Sequence, residues 1–300
     1  MALEKTMKIS ESRGAGSPRV AGFYEPETGS IQYVAVCEAT KTAALIDVVQ
    51  GFTPASAATD MAPAQEILDW VEAEGLTVAW VLDTHPHADH LMASQWLKEK
   101  TGAPNAIGEK VRQIAELWRD LYHMPRLDPV PHFDQLWADG DSFRLGELEV
   151  KVMLSTGHTL GSVSYVIGDA IFAHDTFMQP DAGTARADFP GGSAAELYDS
   201  LMAILDHPDD TRIFVGHDYG TDSRKEAAWE STVAEQKASN KHVGGGVSKE
   251  DYVQVREKRD AQLALPDRML AALQINLRGG RLPPAENDGH SYLKVPLNKF

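Results

Sequence analysis

The sequence predicts a mixed α/β fold built as layers of sheet and helix. Short apolar runs typical of buried strands occur along the chain, and between them lie segments whose apolar residues recur every three or four positions. The composition, 43% hydrophobic and 24% charged over 300 residues, is ordinary for a globular protein. Because strands and helices mix throughout, we expect helices to cover a central sheet core.

The first half of the chain contains the elements that lead to a histidine-rich loop. In order, we expect strands over about 31–38 and 42–49, a helix over 63–75, a strand over 77–85, and helices over 91–102 and 108–122. Pro63 suits a first helical turn and Gly75 suits a helix end. The strand before the loop is an apolar run that delivers His85 at its carboxyl end.

The second half also alternates predicted strands and helices, and its end is predicted to be mostly helical. We expect strands over 148–154 and 162–175, a helix from Ser193, a strand within 211–220, and mostly helical structure over 222–300. Ser193 precedes Glu196 by three positions, which is the spacing of a helix capping box. Ser248 and Asp251 have the same spacing and predict a second helix start.

Charge and cysteine content exclude several classes of protein. The formal net charge of −16 argues against nucleic acid or an anionic membrane as a partner. The single cysteine, Cys37, excludes an intrachain disulfide framework. The first 20 residues lack the apolar core of a signal peptide, and no run of about 18 apolar residues predicts a membrane span. We therefore expect a cytoplasmic protein.

Ligand-type residues follow several of the predicted strands. "THPHADHL" at 84–91 packs three histidines and one aspartate into six positions, and three further residues follow later strands. The seven are His85, His87, Asp89, His90, His158, Asp175 and His217. Loops at strand ends are where rigid scaffolds place functional groups, and imidazole with carboxylate is a common metal-binding set. A single histidine there is more often structural, but together the seven predict a metal site.

These motifs resemble those of a known superfamily. "HPHADH", "TGHTLGS", "FAHDTF" and "VGHDYG" are similar, in this order, to the metal motifs of the metallo-β-lactamase superfamily. The resemblance implies an αββα sandwich, with two sheets face to face and helices outside. In its binuclear zinc hydrolases, one metal would take His85, His87 and His158. The second would take Asp89, His90 and His217, with Asp175 bridging the two.

A second set of motifs resembles one branch of that superfamily. Arg186, Asp188 and Phe189 are similar to the G-R-x-D-F signature of persulfide dioxygenases, although Ala185 replaces its glycine. The tail "INLRGG" at 275–280 is similar to the same branch. The resemblance implies one Fe(II) ion held by His85, His158 and Asp175, which leaves open coordination positions for substrate and O2. His87, Asp89, His90 and His217 would then orient ligands or form a weakly filled second metal site.

The resemblance also implies a substrate and an activity. The protein would oxidise glutathione persulfide, or a similar small persulfide, with O2 to sulfite and thiol in sulfide detoxification. Arg186 is a candidate clamp for a substrate carboxylate, or else pairs locally with Asp188. Tyr219 and Lys241 are further candidates for substrate binding, and the alternative for Tyr219 is packing in the core. The alternative function is a binuclear zinc thioester hydrolase of the glyoxalase II type.

The predicted organisation has three parts. Residues 1–17 are expected to be a flexible N-terminal segment, 18–240 the metallo-β-lactamase-fold catalytic domain, and 241–300 a short, mostly helical extension packed on the same domain. Relatives of this branch are commonly dimers, so a homodimer is expected.

Overall fold

Strands and helices alternate along most of the chain, as predicted. The computed structural model describes residues 3–299, so parts of the predicted flexible segment and of the extension (residues 1–2 and 300) lie outside the described residues. The strands of the first half are β1 Met7–Ser10, β2 Arg19–Glu25, β3 Ser30–Cys37, β4 Thr42–Ile46, β5 Val49–Thr53, β6 Ala58–Asp60, β7 Thr77–Leu82, β8 Leu91–Met92, β9 Asn105–Gly108 and β10 Gln135–Trp137. Those of the second half are β11 Ser142–Leu145, β12 Leu148–Leu154, β13 Val163–Ile167, β14 Ala170–His174, β15 Arg212–Val215 and β16 Glu230–Thr232.

Seven α-helices accompany these strands within the described part of the chain. They are α1 Ala62–Ala73, α2 Ser94–Thr101, α3 Val111–Leu121, α4 Ala194–Leu205, α5 Val233–Ser239, α6 Lys249–Asp260 and α7 Met269–Asn276. A 3-10 turn over Val130–His132 precedes β10. Over residues 3–299, no helix combines the length and the apolar character needed to cross a bilayer.

The strands form two large sheets that pack face to face. One sheet has the order β1-β2-β3-β4-β7-β9-β10 and the other β11-β12-β13-β14-β15-β16, while β6-β5-β8 form a small third sheet. The alternation in β3 shows the layering. Ile31 and Tyr33 join the core between the large sheets, whereas Val34 joins an outer cluster with Ile67 of α1 and Leu97 of α2. Leu197 and Leu201 of α4 extend the central core on the other sheet. The predicted αββα sandwich is confirmed.

Two pairs of parallel neighbours decide where functional loops meet. β4 pairs in parallel with β7, and β14 pairs in parallel with β15. Parallel strands end at the same edge of their sheet, so the loops after all four strands collect at one edge of the sandwich. Each of these loops carries a buried histidine or aspartate.

The helix start signals read from the sequence are confirmed. The Ser193 side chain caps α4 by accepting a hydrogen bond from the Glu196 backbone N–H, and Ser248 caps α6 through Asp251 in the same way. The helix predicted over 63–75 is α1, and the helix predicted over 108–122 is α3.

Two predicted boundaries were wrong around the small third sheet. The strand expected over 42–49 stops at Ile46, because Asp47 adopts a left-handed backbone conformation with φ of 52° and turns the chain into β5. The helix expected over 91–102 begins only at Ser94, because Leu91–Met92 pair with β5 as β8. Long-range pairing overrides local helix propensity here.

The two ends of the chain also differ from expectation. Met7–Ser10, inside the segment predicted to be flexible, pair with β2 as an edge strand. Residues 222–299 are less helical than predicted, since they include β16 and an irregular tail after α7. Gln274 holds that tail, because its side chain bonds both the N–H and the carbonyl of Lys294.

Candidate metal centre

The predicted ligand residues converge at the edge where the parallel strands end. His85, His87, Asp89 and His90 lie in the loop between β7 and β8, and His158 lies between β12 and β13. Asp175 directly follows β14, and His217 follows β15 by two positions. The six besides Asp89 are at most 6% exposed, so the loops deliver them into a buried site. We call His85, His158 and Asp175 the triad, and His87, Asp89, His90 and His217 the quartet.

The triad places two imidazoles around one carboxylate oxygen. Asp175 Oδ2 lies 3.7 Å from His85 Nε2 and 3.5 Å from His158 Nε2. The His85 and His158 rings are nearly perpendicular, at 86°, with centroids 5.1 Å apart. These distances are too long for hydrogen bonds, so Asp175 Oδ2 lies near both nitrogens without bonding either. The triad is not among the groups of described residues whose ligand atoms all lie within 4.8 Å of one another.

The other nitrogen of each triad histidine is anchored by a neighbour. His158 Nδ1 donates to the backbone carbonyl of Arg186 at 2.8 Å. His85 Nδ1 lies 3.0 Å from the Thr84 hydroxyl, which itself donates to Asp47 Oδ2 at 2.8 Å. An anchored Nδ1–H leaves Nε2 as the nitrogen with a free lone pair, which is the form that binds metals.

Asp47 also fixes His87, in the opposite orientation. His87 Nε2 donates to Asp47 Oδ1 at 3.0 Å, so Nδ1 is its free nitrogen. Burial alone would raise the pKa of the Asp47 carboxyl, but His87 and the Thr84 hydrogen bonds hold that pKa below its ordinary value. The His87 ring lies 4.1 Å from the His85 ring, and His85, His87 and Asp175 offer atoms within 4.8 Å of one another.

The rest of the quartet is tied together by hydrogen bonds. Asp89 Oδ2 accepts from His217 Nε2 at 2.7 Å and from His90 Nδ1 at 2.9 Å. The Ser30 hydroxyl joins the same group, 3.0 Å from His90 Nδ1 and 3.1 Å from His217 Nε2. His217 Nδ1 contacts Asp175 Oδ1 at 2.5 Å, so both nitrogens of the His217 ring are engaged.

Charge pairing around His217 follows from this geometry. Burial lowers the pKa of His217, but the Asp175 and Asp89 carboxylates outweigh burial and hold that pKa well above its usual range. Burial conversely raises the pKa of Asp175, and His217 holds it well below its ordinary value. His217 therefore lies between the two carboxylates, with one ring nitrogen in contact with each.

Unpaired buried nitrogens show that the cluster fits a metal ion. His85 Nε2, His87 Nδ1 and His90 Nε2 are buried and have no hydrogen-bond partner. Buried polar atoms without partners are costly and rare in folded proteins. A metal ion would accept their lone pairs, and the imidazole and carboxylate set suits zinc or ferrous iron.

A cleft of about 750 Å³ with both polar and apolar walls opens onto the cluster. Asp89, His158, Asp175 and His217 lie at its floor. Its walls come from the segment after β14, the loop after β15 and the region around α6. Its volume is in the range of small-molecule sites, and of the triad His158 and Asp175 line it whereas His85 does not.

Arg186, Tyr219 and Lys241 all line this cleft, in different states. The Arg186 guanidinium makes a two-pronged pair with the Asp188 carboxylate at 2.6 and 2.7 Å, which is the local pairing considered as the alternative to a substrate clamp. Tyr219 is 63% exposed and stacks on His217, so it does not pack in the core. Lys241 is exposed.

Three supporting residues were missed in the sequence analysis. Asp47 anchors His87 and Thr84, and Ser30 bonds three members of the quartet. Asn276, within the "INLRGG" motif, donates to the His87 and His90 carbonyls at 2.7 and 2.8 Å. Asp47 could have been found, because it follows an apolar strand as the metal ligands do. Ser30 and Asn276 carry no such local signal.

Known proteins resemble this chain in sequence and in fold. A profile of the Metallo-beta-lactamase superfamily matches residues 28–217. A Beta-lactamase hydrolase-like protein of Xylella fastidiosa (strain Temecula1) is 53% identical over 94% of this chain, and the chain spans 65% of that relative's length. Glyoxylase B2 of Dictyostelium discoideum is 37% identical, with 93% of this chain and 97% of the relative covered.

Among solved structures, ETHE1 from Myxococcus xanthus superposes with a TM-score of 0.69 at 30% identity. The superposition covers 87% of this chain and 98% of that chain. Fold, ordered metal motifs and the extent of these matches agree. The chain belongs to the metallo-β-lactamase superfamily.

Proposed function

We propose that this protein is a persulfide dioxygenase that uses one ferrous ion held by His85, His158 and Asp175. The observation that carries the proposal is the difference between the two groups of ligand-type residues. In the triad, His85 Nε2 and His158 Nε2 lie 3.7 and 3.5 Å from Asp175 Oδ2 without hydrogen bonds to it, whereas His217 has both ring nitrogens engaged. Two histidines and one carboxylate are the ligand set of many non-haem iron oxygenases.

The proposed reaction balances without any further co-reactant besides water. A persulfide RSSH reacts with O2 and H2O to give the thiol RSH and sulfite with two protons. The two sulfur atoms of the persulfide together lose four electrons, O2 gains four, and the sulfur–sulfur bond is cleaved by water. A bound ferrous ion would supply electron transfer between sulfur and dioxygen.

Contacts within the chain orient the proposed metal ligand His158 and its neighbour Arg186. The Arg186 carbonyl keeps His158 in the tautomer whose Nε2 faces Asp175. Asp188 and Phe189 hold Arg186 in place, the former by ion pairing and the latter with its ring 4.8 Å below the guanidinium. The Arg186–Phe189 segment, which is similar to the persulfide dioxygenase signature, therefore positions the proposed metal ligand His158.

Two exposed cations are suited to bind substrate carboxylates. Lys241 and Arg259 line the cleft, and neither has an ion-pair partner within residues 3–299. Arg256, which also lines it, is committed to Asp260 and the Thr184 carbonyl. We propose that Lys241 and Arg259 bind the carboxylates of glutathione persulfide or a similar anionic persulfide.

Replacing these cations tests the substrate assignment. Lys241→Ala and Arg259→Ala should each raise KM for glutathione persulfide about three- to tenfold with kcat unchanged, because a surface cation contributes ground-state binding. The matched control is Lys249→Ala, which removes a cation of α6 that pairs with Asp199 outside the cleft. Steady-state kinetics in which both cleft variants behave like the control would contradict the assignment.

Metal content combined with an oxygen-electrode assay tests the activity. Protein purified without oxygen and supplied with Fe(II) should bind about one iron per chain, as a single facial site requires. It should consume O2 on addition of glutathione persulfide. Iron-loaded protein that consumes no O2 with any small persulfide would overturn the proposal.

One observation favours a second candidate, a binuclear zinc thioester hydrolase. His87 Nδ1 and His90 Nε2 remain unpaired, and with Asp89 they offer ligand atoms within 4.8 Å of one another. The similarity to a protein named Glyoxylase B2 points the same way. About two zinc ions per chain together with cleavage of a glutathione thioester would favour this function.

A further inference from the structure

A small, mostly apolar cavity separate from the cleft touches both histidines of the triad, of which the cleft touches only His158. His85 and His158 form one end of it, and Ile114 and Trp118 of α3 and Leu273 of α7 form its walls. Its free space is about 20 Å³, room for one molecule about the size of water. Nothing in the proposed binding of persulfide uses this space.

Phe189 separates the cavity from the cleft. Phe189, Ala88 and His158 line both spaces, so these three residues form the partition. The Phe189 ring meets the His158 ring edge-on, at 85° with centroids 5.3 Å apart. Arg186, locked to Asp188, lies over Phe189 and keeps the ring in this position. The partition is therefore a fixed part of the site.

The lining selects the kind of ligand. Ile114, Trp118, Phe189 and Leu273 are each at most 8% exposed and present apolar surface. An anionic persulfide would lose its hydration there without compensation. The polar residues of the lining are His85, His158 and Thr159. The Thr159 hydroxyl already bonds Ser162, and a bound metal ion would take the free histidine nitrogens, so an ordered water would lack the two to four polar partners that it needs. A small uncharged, apolar molecule is the ligand that fits.

We propose that this cavity is a dioxygen site, which brings O2 to the triad from a side different from the persulfide cleft. The inference rests on the proposed dioxygenase function. It assigns the apolar residues of α3 and α7 to the second substrate and gives Phe189 the role of keeping the two substrates apart. Separate approaches allow O2 to reach the triad while the cleft is filled.

Filling the cavity tests the inference by kinetics. Leu273→Phe should raise KM for O2 about tenfold at saturating persulfide while KM for persulfide stays unchanged, since only one substrate uses the space. Leu270→Phe is the matched control, because Leu270 lies on the same helix outside the cavity. Iron content and circular dichroism establish that both variants are folded and loaded. An unchanged KM for O2 in folded, loaded Leu273→Phe would overturn the inference while leaving the dioxygenase proposal intact.

Argon provides a readout that does not depend on activity, because it is an apolar atom close to dioxygen in size. Crystals of the unaltered protein under argon pressure should show an argon atom between Ile114, Trp118 and Leu273, since dry apolar cavities bind apolar guests. Absence of argon there would overturn the inference. Bound argon in a protein that proves unable to consume O2 would overturn the proposed function, and the dioxygen assignment with it.

Discussion

The triad and the quartet contain the same residue types but differ in how their side-chain atoms are used. In the triad, each histidine has one nitrogen anchored, by Thr84 or by the Arg186 carbonyl, and the other facing Asp175 Oδ2. In the quartet, Asp89 Oδ2 is already close to His90, His217 and Ser30. Both ring nitrogens of His217 contact carboxylates.

This difference shows that ligand type does not establish ligand capacity. A side chain binds a metal ion with the lone pairs that its protein hydrogen bonds leave over. By that criterion a first ion would find unbonded ligand atoms on the triad, while a second ion would first have to break the contacts of His217. Only His87 and His90 of the quartet retain an unpaired ring nitrogen.

The largest expected effect separates the two groups directly. His158→Ala should weaken Fe(II) binding by more than about 100-fold, which exceeds the usual effect of residues that only support a ligand. His90→Ala should weaken it about tenfold or less, because His90 is a quartet member. Titration of the apo-protein with Fe(II), together with metal analysis, measures both.

Equal losses of Fe(II) affinity in His158→Ala and His90→Ala would contradict the distinction between triad and quartet. Such a result would mean that triad and quartet bind metal as one unit, as expected for the binuclear alternative. Far-ultraviolet circular dichroism of each variant serves as the control for folding.

A smaller effect is expected when the backbone beneath the quartet is loosened. Asn276→Ala removes hydrogen bonds to the His87 and His90 carbonyls and to the Met92 N–H. Three buried groups lose their partner, so the free energy of unfolding should fall by about 3 kcal/mol. Metal affinity should fall about tenfold, the size expected for support of ligands.

Gln274→Ala is the matched control for that prediction. Gln274 lies on the same helix and is also fully buried, but its side chain bonds the C-terminal tail. Its loss should lower the free energy of unfolding without changing metal affinity. If both variants bind metal equally well in calorimetry, Asn276 does not position the ligand loop.

The smallest expected effect concerns His242, which lies outside the triad and the quartet. It serves as a reference for a histidine that is kept neutral by protein contacts alone. Burial and then the charges of Arg256, Arg259 and Lys241 lower the pKa of His242 to about 4. His242 Nδ1 accepts a hydrogen bond from the Thr184 N–H, which requires an unprotonated nitrogen. The ring is thus neutral because of protein contacts, with no metal needed.

The pH dependence follows from that lowered pKa. An unfolded histidine has a pKa of about 6.5, so between that value and the folded value the unfolded state binds more protons. The free energy of unfolding should therefore fall as pH drops through this window, by about 2–3 kcal/mol from this residue. In His242→Gln this contribution should vanish, whereas exposed His290→Gln should match the unaltered protein in denaturant titrations at several pH values.

Much of the site could be predicted because its residues can be recognised from the sequence immediately around them. Each metal-type residue or motif follows an apolar strand, and strand ends can be read from apolar runs and turn residues. Helix starts at Ser193 and Ser248 were equally local, since capping depends on residues three apart. The strands β5 and β8 could not be predicted in this way, because short strands depend on partners far along the chain.

The sequence by itself determined the fold class, the superfamily and the set of ligand residue types, because apolar periodicity and spaced motifs are properties of neighbouring residues. Only the tertiary structure decided which nitrogens are free, since Asp47, Ser30 and Asn276 reach the ligand loop from distant positions. It also decided that Arg186 pairs with Asp188, and that Phe189 lies between the large cleft and the small cavity. The physical reason is that hydrogen-bond direction and enclosed space depend on three-dimensional contacts, which spacing along the chain does not specify.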